Sequence, residues 1–408
     1  MSPSIEDYRS IIGEEEVEGI KAAAEEVSGL SLVHVNSTRF GGGVAEILHS
    51  MVPLMKSVGL EARWEVMKGD LSFFTVTKKL HNALQGADIH LSREELELYM
   101  RYNKASAEEL ELDADFIVVH DYQPMAIPKY SRPASSTWIW RCHIDLSTPQ
   151  ADALKLVSSL IPLYSAAVFS MKEFARGLKL RKLAVIPPSI DPLSDKNKPL
   201  PESEVLRVLE RYDIDPDRPI MTQVARFDPW KDPLGAVDAY RIVKREVPGV
   251  QLLMVASMAS DDPEGWYWYE KVARYVGEDY DVHLLTNMIG VGSLEVNALQ
   301  RASDVAVLKS IREGFGLSVA EALWKKVPVV ASSAGGIKLQ VIDGVTGFIV
   351  STVQELAEKV LYLLKHPEEA RRMGANGAEH VRRNFLITRH LKDYLKLISS
   401  LKSSAPLA

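Results

Sequence analysis

Short apolar runs recur along the chain, and each is followed by a longer segment whose apolar residues fall at helical spacing. In the first half the runs are 30–36 (LSLVHVN), 62–67 (ARWEVM), 115–120 (DFIVVH), 137–142 (TWIWRC), 166–170 (AAVFS) and 183–188 (LAVIPP). In the second half they are 219–225 (PIMTQVA), 250–256 (VQLLMVA), 282–286 (VHLLT), 304–309 (DVAVLK), 327–332 (VPVVAS) and 346–350 (TGFIV). This βα alternation predicts an α/β fold with two parallel sheets, each covered by helices on both faces. Between the halves, 187–204 (PPSIDPLSDKNKPLPESE) has no apolar period and reads as an interdomain linker. Residues 382–402 carry apolar positions at helical spacing and predict a helix that continues past the second domain.

Length agrees with two domains, because 408 residues exceed the size of about 250–300 at which one core stops growing. The expected division is 1–195 and 196–385, with a C-terminal helix over 386–408 packing back on the first domain. The composition, 46% apolar and 25% charged, is that of an ordinary globular protein. A net charge of −7 argues against a chain-wide phosphate-binding surface and so against nucleic acid. The single cysteine, Cys142, leaves no internal disulfide framework and no CxxC pair. The start of the chain is acidic and polar, and no run approaches about 18 uninterrupted apolar residues. The expectation is a cytoplasmic protein with no membrane contact.

Ligands of open parallel sheets bind at the carboxyl ends of the strands, so residues just after each strand carry the candidate chemistry. Two sheets facing each other would form one cleft. After 304–309 comes REGFGLSVAEA (312–322), a loop leading into a helix that Pro328 stops. Gly314 and Gly316 let a ligand approach the backbone, and the free N–H groups of residues 316–319 suit an anion such as a diphosphate. Glu321, about one turn into that helix, could accept hydrogen bonds from a vicinal diol. Taken singly, Glu313 is a loop carboxylate and Glu321 a solvated helix residue. Arg226 and Lys231 follow the first strand of the same half, where a planar fork and a point charge suit a pyrophosphate.

In the first half, Gly41, Gly42 and Gly43 follow a strand and precede a helix, which allows close approach to an anion. The spacing is not GxGxxG, and dinucleotide binding gains little from it. His143 and Asp145 follow another strand, and His120 and Asp121 a third. These groups could bind sugar hydroxyls or a reacting oxygen. The acidic triplets 113–115, 213–215 and 279–281 precede strands and read as turn residues, so no metal site is assigned.

Residues 313–350 (EGFGLSVAEALWKKVPVVASSAGGIKLQVIDGVTGFIV) resemble the E-x7-E signature of retaining nucleotide-sugar glycosyltransferases with two Rossmann-like domains, the GT-B architecture of glycosyltransferase family 4. The segments ARFDPWKDP, IPPSID and GGGVAE match further motifs of that family in order. Lys325–Lys326 stand where the family usually has a small residue and Gly, and read as a changed helix end. WRCHIDLSTP, VVHDYQP and NSTRFGGGVAEIL are similar to the family of trehalose glycosyltransferring synthases, with retaining trehalose phosphorylases as near neighbours.

The resemblance implies reversible transfer of glucose from an NDP-glucose (ADP-, UDP- or GDP-glucose) to free glucose with retention, giving trehalose and NDP. It implies no tightly bound cofactor and no metal required by the site, with Mg an option in solution, and it allows a homodimer. By matching positions, Arg226 and Lys231 would hold the diphosphate and Glu321 the ribose. Glu313, with the amides of Gly314, Phe315, Gly316 and Leu317, would hold the donor sugar and phosphates, and Gly42 and Gly43 would meet the phosphates. Acceptor contacts would fall to Asn36, His120, Asp121, His143 and Asp145, and the catalytic set to His143, Arg226, Lys231 and Glu313. Rival readings are a trehalose phosphorylase, another GT-B hexosyltransferase, an acceptor-independent sugar-nucleotide epimerase and a non-catalytic nucleotide-sugar-binding protein.

Overall fold

Twelve strands form two sheets, in a computed structural model that describes residues 3–131, 133, 135–258 and 264–403. The first sheet comprises β1 (Ser31–Asn36), β2 (Glu61–Val66), β3 (Phe116–His120), β4 (Thr137–Arg141), β5 (Ala166–Phe169) and β6 (Leu183–Val185). The second comprises β7 (Ile220–Val224), β8 (Gln251–Ala256), β9 (Val282–Thr286), β10 (Val305–Leu308), β11 (Val329–Ser332) and β12 (Gly347–Val350). Every pairing is parallel, and the strand orders are β2-β1-β3-β4-β5-β6 and β12-β11-β10-β7-β8-β9. Helices cover both faces, so central strands such as β3 and β8 are buried at every position. Burial of such Val, Leu and Ile side chains contributes about 1.5–3 kcal/mol each.

The chain forms two compact units, one of Met1–Ser189 with Ile387–Ala408, the other of Ile190–Met258 with Glu264–Leu386. In the first, the Ile387–Lys402 helix is tied down by Lys392 on Glu16 (2.7 Å), by Ser399 donating to Glu26 (2.6 Å) and by Arg389 donating to the carbonyl of Pro187 (2.6 Å). In the second, Met221, Val237, Tyr240, Leu252, Val330 and Val360 lie in one core beneath the sheet.

The segment read as a linker is packed. Asn197 is buried, its carbonyl accepts from Trp324 Nε1 at 3.2 Å, and its side-chain oxygen accepts from Lys325 Nζ at 2.8 Å. A helix begins at Glu202. The polar residues that gave the segment its linker-like composition are consumed in internal hydrogen bonds, which composition alone does not reveal.

Each sheet has one position where chain order reverses, between β1 and β3 in the first and between β7 and β10 in the second. Ligands of such sheets bind beside the carboxyl ends of the strands at that switch. Sequence-marked residues follow all four of these strands.

Candidate active site

The loops after β7 and β10 meet in the second unit. Asp228 caps the short Pro229–Lys231 turn by accepting from Trp230 N at 2.8 Å, and Gln223 Nε2 donates to the Lys231 carbonyl at 3.0 Å. Asp232, left-handed at φ 47°, then caps the Pro233–Glu246 helix and accepts from Lys309 at 2.6 Å. This scaffold sets Lys231 Nζ 2.5 Å from Glu313 Oε2, with both side chains largely buried. Ser310 Oγ donates to the same carboxylate oxygen at 3.1 Å. Arg226, partly exposed, has Nη2 4.0 Å from Asp228 Oδ2. Arg226, Lys231 and Glu313 are thus brought into one neighbourhood, with Glu313 already balancing the lysine.

The Gly314–Gly316 turn is held from behind. Gly316 is left-handed at φ 82°, where a Cβ would be strained. Gly336 approaches so closely that a Cβ there would lie 2.8 Å from Phe315 Cα and 2.9 Å from the Gly314 carbonyl oxygen. Gln340 Nε2 donates to the Phe315 carbonyl at 2.6 Å. The Leu317–Trp324 helix therefore starts at a turn of fixed shape, with no side-chain cap on its first N–H groups.

Glu321 is not a solvated helix residue. It is 1% exposed, with Oε1 3.0 Å from Lys196 Nζ and Oε2 accepting from Gln300 Nε2 at 3.4 Å. Burial of the helix face on which it lies required a cation, and Lys196, from the segment read as linker, supplies it. The helix ends at Trp324, and Lys326 follows in the left-handed region at φ 65°.

In the first unit the carboxyl ends of β1, β3 and β4 gather Asn36, His120, Asp121 and His143. Asn36 Oδ1 accepts from Trp64 Nε1 at 2.7 Å, and its amide donates to the Thr38 carbonyl at 2.7 Å. Asp121, at φ 63°, accepts from the His143 backbone N–H at 2.7 Å, so the β3 loop orients the β4 loop. His120 Nδ1 and His143 Nε2 are 2.9 Å apart. Burial pushes both imidazoles well below their ordinary range, with neighbouring cationic groups adding to it. Asp145 is buried and accepts from Ser147 N at 2.8 Å. Gly42, at φ 97°, precedes the uncapped Gly43–Ser57 helix.

The sequence reading missed Lys196, Gln300, Asp232, Lys309, Gln340 and His34. Lys196, Gln300 and Gln340 reach the site from distant positions, and no local pattern marks them, whereas Asp232 directly follows Lys231 and precedes Pro233 at a helix start, and Lys309 directly follows β10. His34 left a signal, a polar residue in the middle of the buried run of β1. Among the described residues no group of three or more His, Cys, Asp or Glu side chains could hold a metal ion. The acidic triplet at 279–281 serves as an anchor: Asp279 and Asp281 both pair with Lys244, at 2.6 and 2.9 Å.

Residues 34–176 match the model of the trehalose synthase N-terminal domain, and residues 207–380 that of glycosyl transferases group 1. A trehalose synthase of Pyrococcus horikoshii is 53% identical over 97% of this chain and 96% of its own length. The chain belongs to the trehalose synthase family of glycosyltransferases. A second member, from Rubrobacter xylanophilus, is 48% identical over 98% of this chain and 97% of that protein. Among solved structures, a sucrose-phosphate synthase from Thermosynechococcus elongatus superimposes with a TM-score of 0.73 at 18% identity, covering 92% of this chain and all of the other. That likeness shows the fold, which is GT-B. Among the described residues no helix is long and apolar enough to cross a membrane.

Proposed function

We propose that this glycosyltransferase moves glucose from an NDP-glucose to free glucose with retention at the anomeric carbon, forming trehalose and NDP reversibly. The observation that carries the donor half is the Lys231–Glu313 pair beside the glycine turn, at the carboxyl ends of β7 and β10. A nucleoside diphosphate is the leaving group suited to that place. Arg226 and Lys231 neutralise it, and the amides of Gly314, Phe315, Gly316 and Leu317 donate to its oxygens or to the donor sugar. Glu321 accepts from the ribose hydroxyls once its contact with Lys196 opens. Gly42 and Gly43 offer backbone to the phosphates. The acceptor half is assigned to Asn36, His120, Asp121, His143 and Asp145.

In the transition state the sugar ring becomes oxocarbenium-like and negative charge grows on the departing phosphate oxygen. Cations and amides fixed before reaction stabilise that growing charge more than the intact donor, which is what lowers the barrier. No carboxylate is assigned as a nucleophile. The departing phosphate oxygen takes the acceptor hydroxyl's proton as the new bond forms on the face it leaves.

The test incubates the protein with trehalose and, in separate tubes, ADP, UDP, GDP or inorganic phosphate. Glucose together with NDP-glucose is the expected product and names the base. Glucose 1-phosphate in the phosphate tube would instead make the enzyme a phosphorylase, and no release in any tube would remove trehalose from the proposal.

A further inference from the structure

Three imidazoles are hydrogen-bonded in series through the first unit. His34 Nδ1 lies 2.9 Å from His120 Nε2, and His120 Nδ1 lies 2.9 Å from His143 Nε2. At the inner end His34 Nε2 sits 3.4 Å from the sulfur of Met55, a fully buried residue of the Gly43–Ser57 helix. At the outer end His143 is half-buried, and its hydrogen bonds among the described residues use Nε2 and the backbone N–H, which leaves Nδ1 for a ligand.

A neutral imidazole has one N–H and one lone pair, on opposite sides of the ring. Burial keeps all three rings in that neutral form. In a row of such rings each must donate at one end and accept at the other, so one proton position sets all three. The row has two possible polarities. A thioether sulfur carries no proton and can only accept. His34 therefore places its proton on Nε2, and its Nδ1 accepts from His120 Nε2–H. His120 Nδ1 in turn accepts from His143 Nε2–H. The opposite polarity would set a buried lone pair of His34 against the lone pairs of the sulfur, with no other described side chain hydrogen-bonding that nitrogen.

We infer that Met55 is a positioning residue that fixes the polarity of this row, so that His143 presents a bare Nδ1 and accepts a hydroxyl of an unphosphorylated sugar. The sugar half of this statement rests on the acceptor reading of His143 given above. An unprotonated phosphate oxygen, itself an acceptor, meets a lone pair at Nδ1 and is disfavoured there. The polarity is a property of the protein alone.

Long-range proton–nitrogen NMR of the full-length chain labelled with 15N-histidine distinguishes the two neutral tautomers, with the His143 signals assigned by their loss in His143→Gln. The expected result is His143 protonated on Nε2. Protonation on Nδ1, or a doubly protonated ring near neutral pH, overturns the proposal. Met55→Leu conserves volume and removes the acceptor. It should leave the melting temperature nearly unchanged, turn the His143 signals into a mixture of tautomers and slow trehalose formation three- to tenfold at little change in KM. An unaltered His143 tautomer in that variant excludes Met55 as the lock. Because the NMR readout needs no substrate, a protein inactive on trehalose but showing the expected tautomers would refute the sugar assignment and leave the polarity standing.

Discussion

Lys231 and Glu313 come from separate loops and meet 2.5 Å apart, 16% and 8% exposed at their side chains. Removing one partner of such a pair leaves an uncompensated charge and costs about 3–5 kcal/mol of stability. Loss of the lysine also removes a charge-assisted contact to the leaving group, for which on the order of a hundredfold or more in turnover is expected. Two variants separate these effects. Lys231→Met alone should be both destabilised and slow, whereas Lys231→Met with Glu313→Gln should regain most of the stability and remain at least about a hundredfold slow. Recovery of turnover along with the melting temperature in the double variant would show that the lysine acts only as a structural counter-ion. Each residue was legible in the sequence because it lies in the loop that leads from an apolar strand to the next helix. Their pairing was not, because it depends on β7 and β10 being neighbours, which the chain order does not state. Glu321 shows the same limit: its place on a helix was legible, but its burial against Lys196 was not.

At the scale of elements, strands were the most legible feature, since buried parallel strands are continuous apolar runs bounded by turn residues. The short Ile337–Gln340 helix and the turn before it carried no comparable signal, although they shape the glycine loop. Gly336 lies where an added Cβ would sit within 3 Å of two backbone atoms of that loop. Backbone cannot rotate aside as a side chain can, so Gly336→Ala must displace the Gly314–Phe315 segment. Overpacking of this kind costs about 1–3 kcal/mol. The variant should therefore melt lower and bind NDP at least several-fold more weakly, as measured by calorimetry. Unchanged NDP affinity in a destabilised Gly336→Ala protein would remove the glycine turn from the nucleotide site while leaving its packing intact.

For the molecule as a whole, buried histidines set the response to acid. Burial pushes His34 down to about 3, and His120, His143 and His390 are likewise held below the ordinary imidazole value by burial and nearby cations. In the second unit burial lowers His283 as well. The unfolded chain binds protons at these imidazoles near pH 6.5 and the folded chain does not. Stability therefore rises with pH between the folded and unfolded values, is complete above about 6.5, and falls as pH drops below it. Carboxylates with depressed values, such as Asp70 and Glu379 at about 2, act only at lower pH and are solvent-screened. His90 is raised by Asp152 and works in the opposite direction, but at an exposed site. The window from pH 7 to 5 thus belongs to the buried rings, with His34 alone accounting for about 2 kcal/mol across it. Urea unfolding at pH 7 and pH 5 should show the wild-type chain losing more stability than His34→Gln, by about that amount. Equal losses in the two proteins would mean that His34 takes up its proton in the fold over the same pH range as in the unfolded chain, and with it the row of imidazoles held neutral by burial would fall.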